Sequence, residues 1–292
     1  MKHGVNRETF SSLESVVSPI AAKCIGFLAV AFAIAAKADP VAVRDVQGSI
    51  HGFLVVRDMH NKLLASGDSI QIPAGNRITA ISSLHFKDGS VYEERAVFSQ
   101  RRTFRLLSYR LLQKGPSFRT QQTLSFNTST GKISVRNTDE HGKQTSLEDQ
   151  ITMPADLANG ILTTLLTNVN AGAEPTLSML VANPKPRIVK LKISRSRQDP
   201  YFVGGTEHRA NHFIVNIDIG GIMGVAAKLT GKQPPPIHVW IADGQIPVFL
   251  KFEGPLYEDG PVWRVEMASP EWPGVSGAGS NTPNATPPER RP

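Results

Sequence analysis

Apolar and polar residues alternate along most of this chain. Between Arg187 and Ser194, Val189, Leu191 and Ile193 oppose Lys190, Lys192 and Ser194. Between His212 and Ile219, Phe213, Val215, Ile217 and Ile219 oppose Asn216 and Asp218. A period of two sends successive side chains to opposite faces, so each segment predicts a strand with one buried and one wetted face. Similar signals predict strands over 49–58, 63–72, 77–86, 91–100, 103–113, 121–127 and 132–136. Others are predicted around Val181 and over 237–242, 248–253 and 262–267. Asp88-Gly89 and Asp243-Gly244 supply hairpin turns between neighbours.

One segment changes period. In Pro154–Val169, Leu157, Ile161, Leu165 and Val169 recur every four residues, with Leu162 and Leu166 beside them. This spacing predicts a helix, with Pro154 in the first turn, Thr152 as cap and Gly160 as a weak point. Many strands plus one central helix leave a sandwich, a closed barrel, or a curved sheet wrapped partly round the helix. An outer-membrane barrel is disfavoured, because its outward face must carry an apolar band. Here Lys190 and Lys192 oppose the apolar face.

The chain's ends differ from this pattern. Cys24–Ala36 is an uncharged apolar run of 13 residues, preceded by Lys23 and followed by Ala36-Lys37-Ala38. A basic flank, a short apolar core and an A-x-A step predict a secretory signal peptide over 1–38. The run is shorter than the roughly 20 residues a membrane-spanning helix needs. An uncleaved anchor is the alternative, given the long segment before Lys23. Residues 39–272 are then expected to be one β-rich domain. Residues 273–292, rich in Gly, Ser, Asn, Thr and Pro, are expected to be a disordered tail. The one cysteine, Cys24, leaves with the leader. A disulfide-free exported domain suits a periplasm, with an extracellular or anchored location as alternatives.

Charge narrows the expected partners. The net charge is +7. No acid lies between Glu94 and Asp139, a stretch that includes Arg101, Arg102, Arg105 and Arg110. A second acid-free stretch, Glu174 to Asp199, includes Lys190 and Lys192. If these strands adjoin, they make one positive face, suited to a lipid or an anionic membrane surface. Solvated strand faces are the plainer reading. Nucleic acid is not expected of an exported chain.

Catalytic and metal motifs are sparse. No G-x-S-x-G, H-E-x-x-H or phosphate-loop pattern occurs. His208 and His212 are four apart, but on a strand that spans about 13 Å, too far for one zinc ion. Glu93 and Glu94 point to opposite faces of a strand and read as edge charges. Gly220-Gly221-Ile222-Met223-Gly224 reads as a bend. No metal and no cofactor is expected. Trp240, Phe249, Phe252 and Trp263 concentrate aromatic area, read either as an apolar ligand floor or as core packing.

The segment HVWIADGQIPVFLKFEG, a tryptophan strand, an Asp-Gly turn and a return strand, resembles uncharacterised exported bacterial proteins of the DUF3108 type. These resemble the lipoprotein-carrier (LolA/LppX-like) fold. The resemblance implies a curved, incompletely closed antiparallel sheet with helical cover. With the pattern above, the expected fold is mostly β: a large curved antiparallel sheet, a half-open barrel, with one central helix where the carriers have more. The resemblance transfers no catalytic residues. The expected function is a non-catalytic periplasmic binding or carrier module for an apolar or lipid-like ligand. The alternatives are a structural or interaction protein of the cell envelope and, with least support, a hydrolase with dispersed residues.

Overall fold

The computed structural model describes residues 40–182, 185–220 and 233–269. The expected leader and tail and residues 221–224 of the expected bend lie outside the described residues. One half of the molecule holds β1 (Ile50–Arg57), β2 (Leu63–Ala74), β3 (Arg77–Phe86), β4 (Val91–Gln100), β5 (Phe104–Lys114), β6 (Gln121–Asn127), β7 (Lys132–Thr138) and β8 (Gln144–Gln150). After the helix α1 (Leu162–Thr167) come β9 (Thr176–Val181), β10 (Arg187–Val203), β11 (Thr206–Asp218), β12 (Ile237–Ala242), β13 (Phe249–Pro255) and β14 (Val262–Met267).

All fourteen strands join one sheet, in the order β8-β7-β6-β5-β4-β3-β2-β1-β14-β13-β12-β11-β10-β9. Every neighbouring pair is consecutive in sequence except β1 and β14. Two meanders therefore share a single ladder, in which Leu54 faces Met267 and Val56 faces Val265. Strands spaced about 4.8 Å apart would make a flat sheet roughly 60 Å wide. One face is apolar across that width, and a helix of six residues cannot cover it. The sheet buries that face by curling. One continuous core takes Ile133 and Val135 from β7 near one edge and Leu177 and Leu180 from β9 at the other. Val56, Val239 and Val265 join it from the middle. The result is the expected half-open antiparallel barrel: the free edges are β8 and β9, and they do not pair.

The link between those edges fills the interior. The predicted helix over Pro154–Val169 forms only at Leu162–Thr167. Its first half is instead a strap along the free edge of β9. Ala158 donates its N–H to the Ser178 carbonyl (2.8 Å), and Ser178 donates back to the Asp156 carbonyl (3.1 Å). The Asn159 side chain bonds both backbone groups of Leu180 at 2.9 Å. These bonds outcompete a helical turn, since Asp and Asn side chains readily capture backbone groups. Gly160 then reverses the chain at φ +67°, where a Cβ would lie 3.0 Å from Ala96 and Tyr109. Beyond it Ile161, Leu165 and Leu166 are fully buried in the barrel. So the four-residue spacing of leucines reports core contact on both sides of a break, not one continuous helix.

The segment 41–45 locks this strap. Val43 donates to the Arg102 carbonyl, and Phe104 to the Val41 carbonyl, both at 2.9 Å. The Asn168 side-chain oxygen then accepts the N–H groups of Arg44 (2.9 Å) and Asp45 (2.7 Å). At the opposite edge, β8 reads Gln-Thr-Ser-Leu-Glu-Asp-Gln and is nearly all exposed. A short polar edge resists pairing with other chains.

Two substitutions test the strap. Leu165→Ala is expected to cost about 2–5 kcal/mol, as a buried leucine truncation does. Gly160→Ala should cost roughly 1–3 kcal/mol, because it adds both backbone strain and a clash. Urea unfolding midpoints measure both, and midpoints equal to the parent's would show that the strap is not seated in the core.

Candidate functional site

The strand registers map the outer face row by row. Along the rim of one sheet end, Ala74, Arg77, Ser99 and Arg105 are successive cross-strand partners. The next row is Ile72, Thr79, Val97 and Ser108. Then come His51, Ile70, Ile81, Arg95 and Arg110. The row after that is Phe53, Asp68, Ser83, Glu93 and Leu112, with two acids and no cation. The arginines therefore stand in the first and third rows, with apolar side chains between and beside them. Phe53 is 62% exposed and Ile72 52% exposed. Among the described residues, none of Arg77, Arg95, Arg101, Arg102, Arg105 and Arg110 has an ion-pair partner, whereas Arg57, Arg187, Arg197 and Arg264 each have one. Arg95 and Arg110 are direct cross-strand partners. Such like-charge pairs weaken a sheet, so local stability does not account for their placement.

The six basic residues expected to share a face divide into two groups. Arg101, Arg102, Arg105 and Arg110 sit together on β5 and the turn before it, all exposed. Lys190 and Lys192 lie on β10, with eight strands between in the sheet order. Lys192 is paired with Asp218 at 2.7 Å, and Lys190 reaches Ser178 at 2.9 Å and Asp156 at 3.8 Å. The second stretch is thus tied to acids, and the conditional single face does not form.

The four aromatics do not form one floor either. Trp263 lies inside, within contact of Phe86, Phe118 and Tyr257. Phe249 and Phe252 pack at the margin of that same core. Trp240 belongs to a separate cluster with Tyr201, Ala210, Ala242 and Leu250. It lies on the opposite sheet face because Val239 and Ile241, its neighbours along β12, point inward. There its indole donates to Asp199 (2.8 Å), stacks on His212 (4.2 Å) and lies 3.9 Å under the Lys251 ammonium. Burial lowers the His212 pKa, and the neighbouring His238 lowers it further. Burial disfavours ionisation of Asp199, but hydrogen bonds from Trp240 and Arg197 outweigh it and hold the carboxyl low.

His212 meets His238 across strands at 2.9 Å, while His208 stacks on Tyr201. Spacing along one strand had put His208 and His212 forward; the real neighbour comes from β12. Among the described residues no group of three or more metal-ligating side chains assembles.

The inner face carries one acid that the pattern had assigned to an edge. Glu93 and Glu94 do point to opposite faces, but Glu94 points into the barrel, in a row with Ser69, Ser82 and Leu111. The Tyr109 hydroxyl donates to its carboxylate. Burial pushes the Glu94 pKa up, against the pull of hydrogen bonds from Tyr109 and Tyr92. Burial, and then the charge on Glu94, raise both tyrosines well above the ordinary phenol value.

Clefts among the described residues include the following two. One of about 220 Å³ is lined by Glu174, Thr176, Lys192, Ile193, Ser194 and Asn216. The other, about 550 Å³, is lined by Ala74, Asn76, Arg77, Ser99, Arg101 and Leu107, with no acid.

The molecule is by construction a half-open antiparallel β-barrel with an internal strap. No family model matches the chain, and no curated protein is similar to it. Among solved structures it is similar to a β-barrel-like protein of the domain of unknown function DUF1849 from Brucella abortus. That alignment has 9% identity and a TM-score of 0.41, covering 78% of this chain and 99% of that one. The resemblance of HVWIADGQIPVFLKFEG to the DUF3108 type therefore has no family match behind it, and the curved antiparallel sheet is what stands.

Glu94 makes stability depend on pH. Its folded pKa is raised, so the folded state holds this proton more tightly than the unfolded chain does. Its contribution is fully present below the ordinary carboxylate pKa and is lost as pH rises through the folded value. Glu94→Gln should therefore flatten the fall in stability as pH rises above the ordinary carboxylate range. Urea midpoints from that range upward test this; an unchanged pH slope would mean that the carboxyl is not held protonated by the barrel.

Proposed function

We propose that the chain is an exported, non-catalytic binding module that docks on an anionic, lipid-like surface through the outer face of β1–β5. The observation that carries this reading is the set of exposed arginines without acidic partners, with exposed Ile72 in the row between them and exposed Phe53 at the margin of the face. Bases near an anionic membrane contribute about 1 kcal/mol each, so five or six suffice for reversible attachment. Exposed apolar side chains among them add insertion into the headgroup region. Export is supported by the apolar run of Cys24–Ala36 with its basic flank. The absence of a recognisable catalytic motif in the sequence favours binding over chemistry.

The carrier reading, an apolar ligand enclosed by the barrel, is the weaker one. Ile161, Leu165 and Leu166 of the strap occupy the space such a ligand would need. Envelope interaction through the positive face agrees better with a filled interior. No helix among the described residues is long and apolar enough to cross a membrane.

Co-sedimentation with vesicles decides between these. Binding to phosphatidylglycerol vesicles is expected, with little binding to phosphatidylcholine vesicles and marked weakening at 1 M salt, where charges are screened within about 3 Å. Phe53→Ser with Ile72→Ser should weaken it further. A lipid retained in stoichiometric amount through purification, seen by native mass spectrometry, together with no vesicle binding, would return the carrier reading.

A further inference from the structure

The acid-free cleft at the rim differs from the rest of the basic face. Arg77 and Arg101 line it, together with Asn76 and Ser99. Arg105 is the cross-strand partner of Ser99 and brings a third guanidinium alongside. The walls are fixed by hydrogen bonds. Gln100 donates its N–H to the Asn76 carbonyl at 3.0 Å, pinning the β2–β3 turn to the end of β4. The buried Gln100 side chain accepts from Gln47 N–H (2.7 Å) and donates to the Gln47 carbonyl (2.9 Å). The smaller cleft offers no such field, since Glu174 lines it and its Lys192 is paired with Asp218.

Chemistry identifies the ligand class. Arginine presents a planar fork of donors that fits two oxygens of a phosphate at once. The Ser99 hydroxyl and Asn76 amide can add neutral donors. Apolar residues near it along the chain are exposed: Ile72, two residues before Ala74, at 52%, and Val46, next to Gln47, at 75%.

We infer that the Arg77–Arg101 cleft, with Arg105 beside it, is a discrete binding site for the phosphate of an anionic lipid headgroup. This rests on the membrane-docking reading above and sharpens it from a diffuse positive field to one pocket.

The test compares the full chain with Arg77→Gln/Arg101→Gln, Arg77→Lys/Arg101→Lys and the distant pair Lys132→Gln/Arg136→Gln. Each is assayed against phosphatidylglycerol vesicles and, separately, inorganic phosphate by calorimetry, with melting temperatures confirming the fold. The glutamine pair at the cleft should bind vesicles roughly thirty-fold more weakly and lose phosphate binding. The lysine pair should keep most vesicle binding but weaken phosphate binding, because charge remains and the fork is gone. The distant pair should retain phosphate binding. If the parent binds vesicles and the glutamine pair matches it, the pocket is wrong and the docking face stands. If the parent binds phosphate but no vesicles, and the glutamine pair loses that phosphate, the pocket stands with free phosphate as its source and membrane docking falls. If the parent binds neither, both fall.

Discussion

The rest of the fold follows from a fourteen-stranded sheet that is apolar on one face over most of its width and has two free edges. Curling brings the apolar face into one core, because among the described residues no other layer of secondary structure covers it. The edges β8 and β9 are consecutive in the chain, so one short segment must both connect them and occupy the space between. That segment cannot be a regular helix throughout. It must satisfy the backbone of β9 through Asp156, Ala158 and Asn159, turn at Gly160, and only then bury Ile161, Leu165 and Leu166. The strap therefore stands in for a fifteenth strand and a hydrophobic plug together. The half-open barrel thus has its interior committed to its own chain.

How far the fold is legible from the residues depends on which physical signal each element carries. β10 and β11 have one wet and one dry face, and period-two alternation reveals them at once. β8 is missed because all of Gln144–Gln150 but Leu147 is exposed or polar, so there is no alternation to find. The long β10–β11 hairpin extends to Val203 and restarts at Thr206, past the expected limits. Its far end packs on the outer cluster around Tyr201 and Trp240, and Arg, Gln and Asp residues there hide the period. The helix is overextended because leucines spaced by four look alike whether one helix or a strap-and-turn presents them.

The candidate sites were legible in part, for a related reason. Arg101, Arg102, Arg105 and Arg110 are neighbours in sequence and remain neighbours in the fold, because a hairpin keeps its own residues together. Lys190 and Lys192 belong to the other meander, and only sheet order decides their distance from the first group. The same holds for His212. Its partner His238 is 26 residues away and meets it through the β11–β12 register, which no local spacing encodes. Trp240 and Trp263 looked like one aromatic surface because both sit in apolar strands. A one-residue difference in facing separates them completely.

Glu94 links the interior to the outer face. β4 has two acids in succession, and the pleat sends one to each side. Had both faced outward, they would have stood among Arg95 and Arg110 and offset part of that charge. Instead Glu94 lies against Tyr92 and Tyr109, where burial raises its pKa and disfavours the charged form. The barrel thus keeps one carboxyl on the side where it cannot reach the arginines, and disfavours its ionisation. Together with the Arg95–Arg110 pairing, this leaves the outer face of β4 and β5 more positive than the strand's composition suggests. A sheet that accepts like charges opposite each other outside and a carboxyl inside departs from local stability rules at two adjoining positions. Such departures concentrate where a surface is shaped by what it binds rather than by the fold.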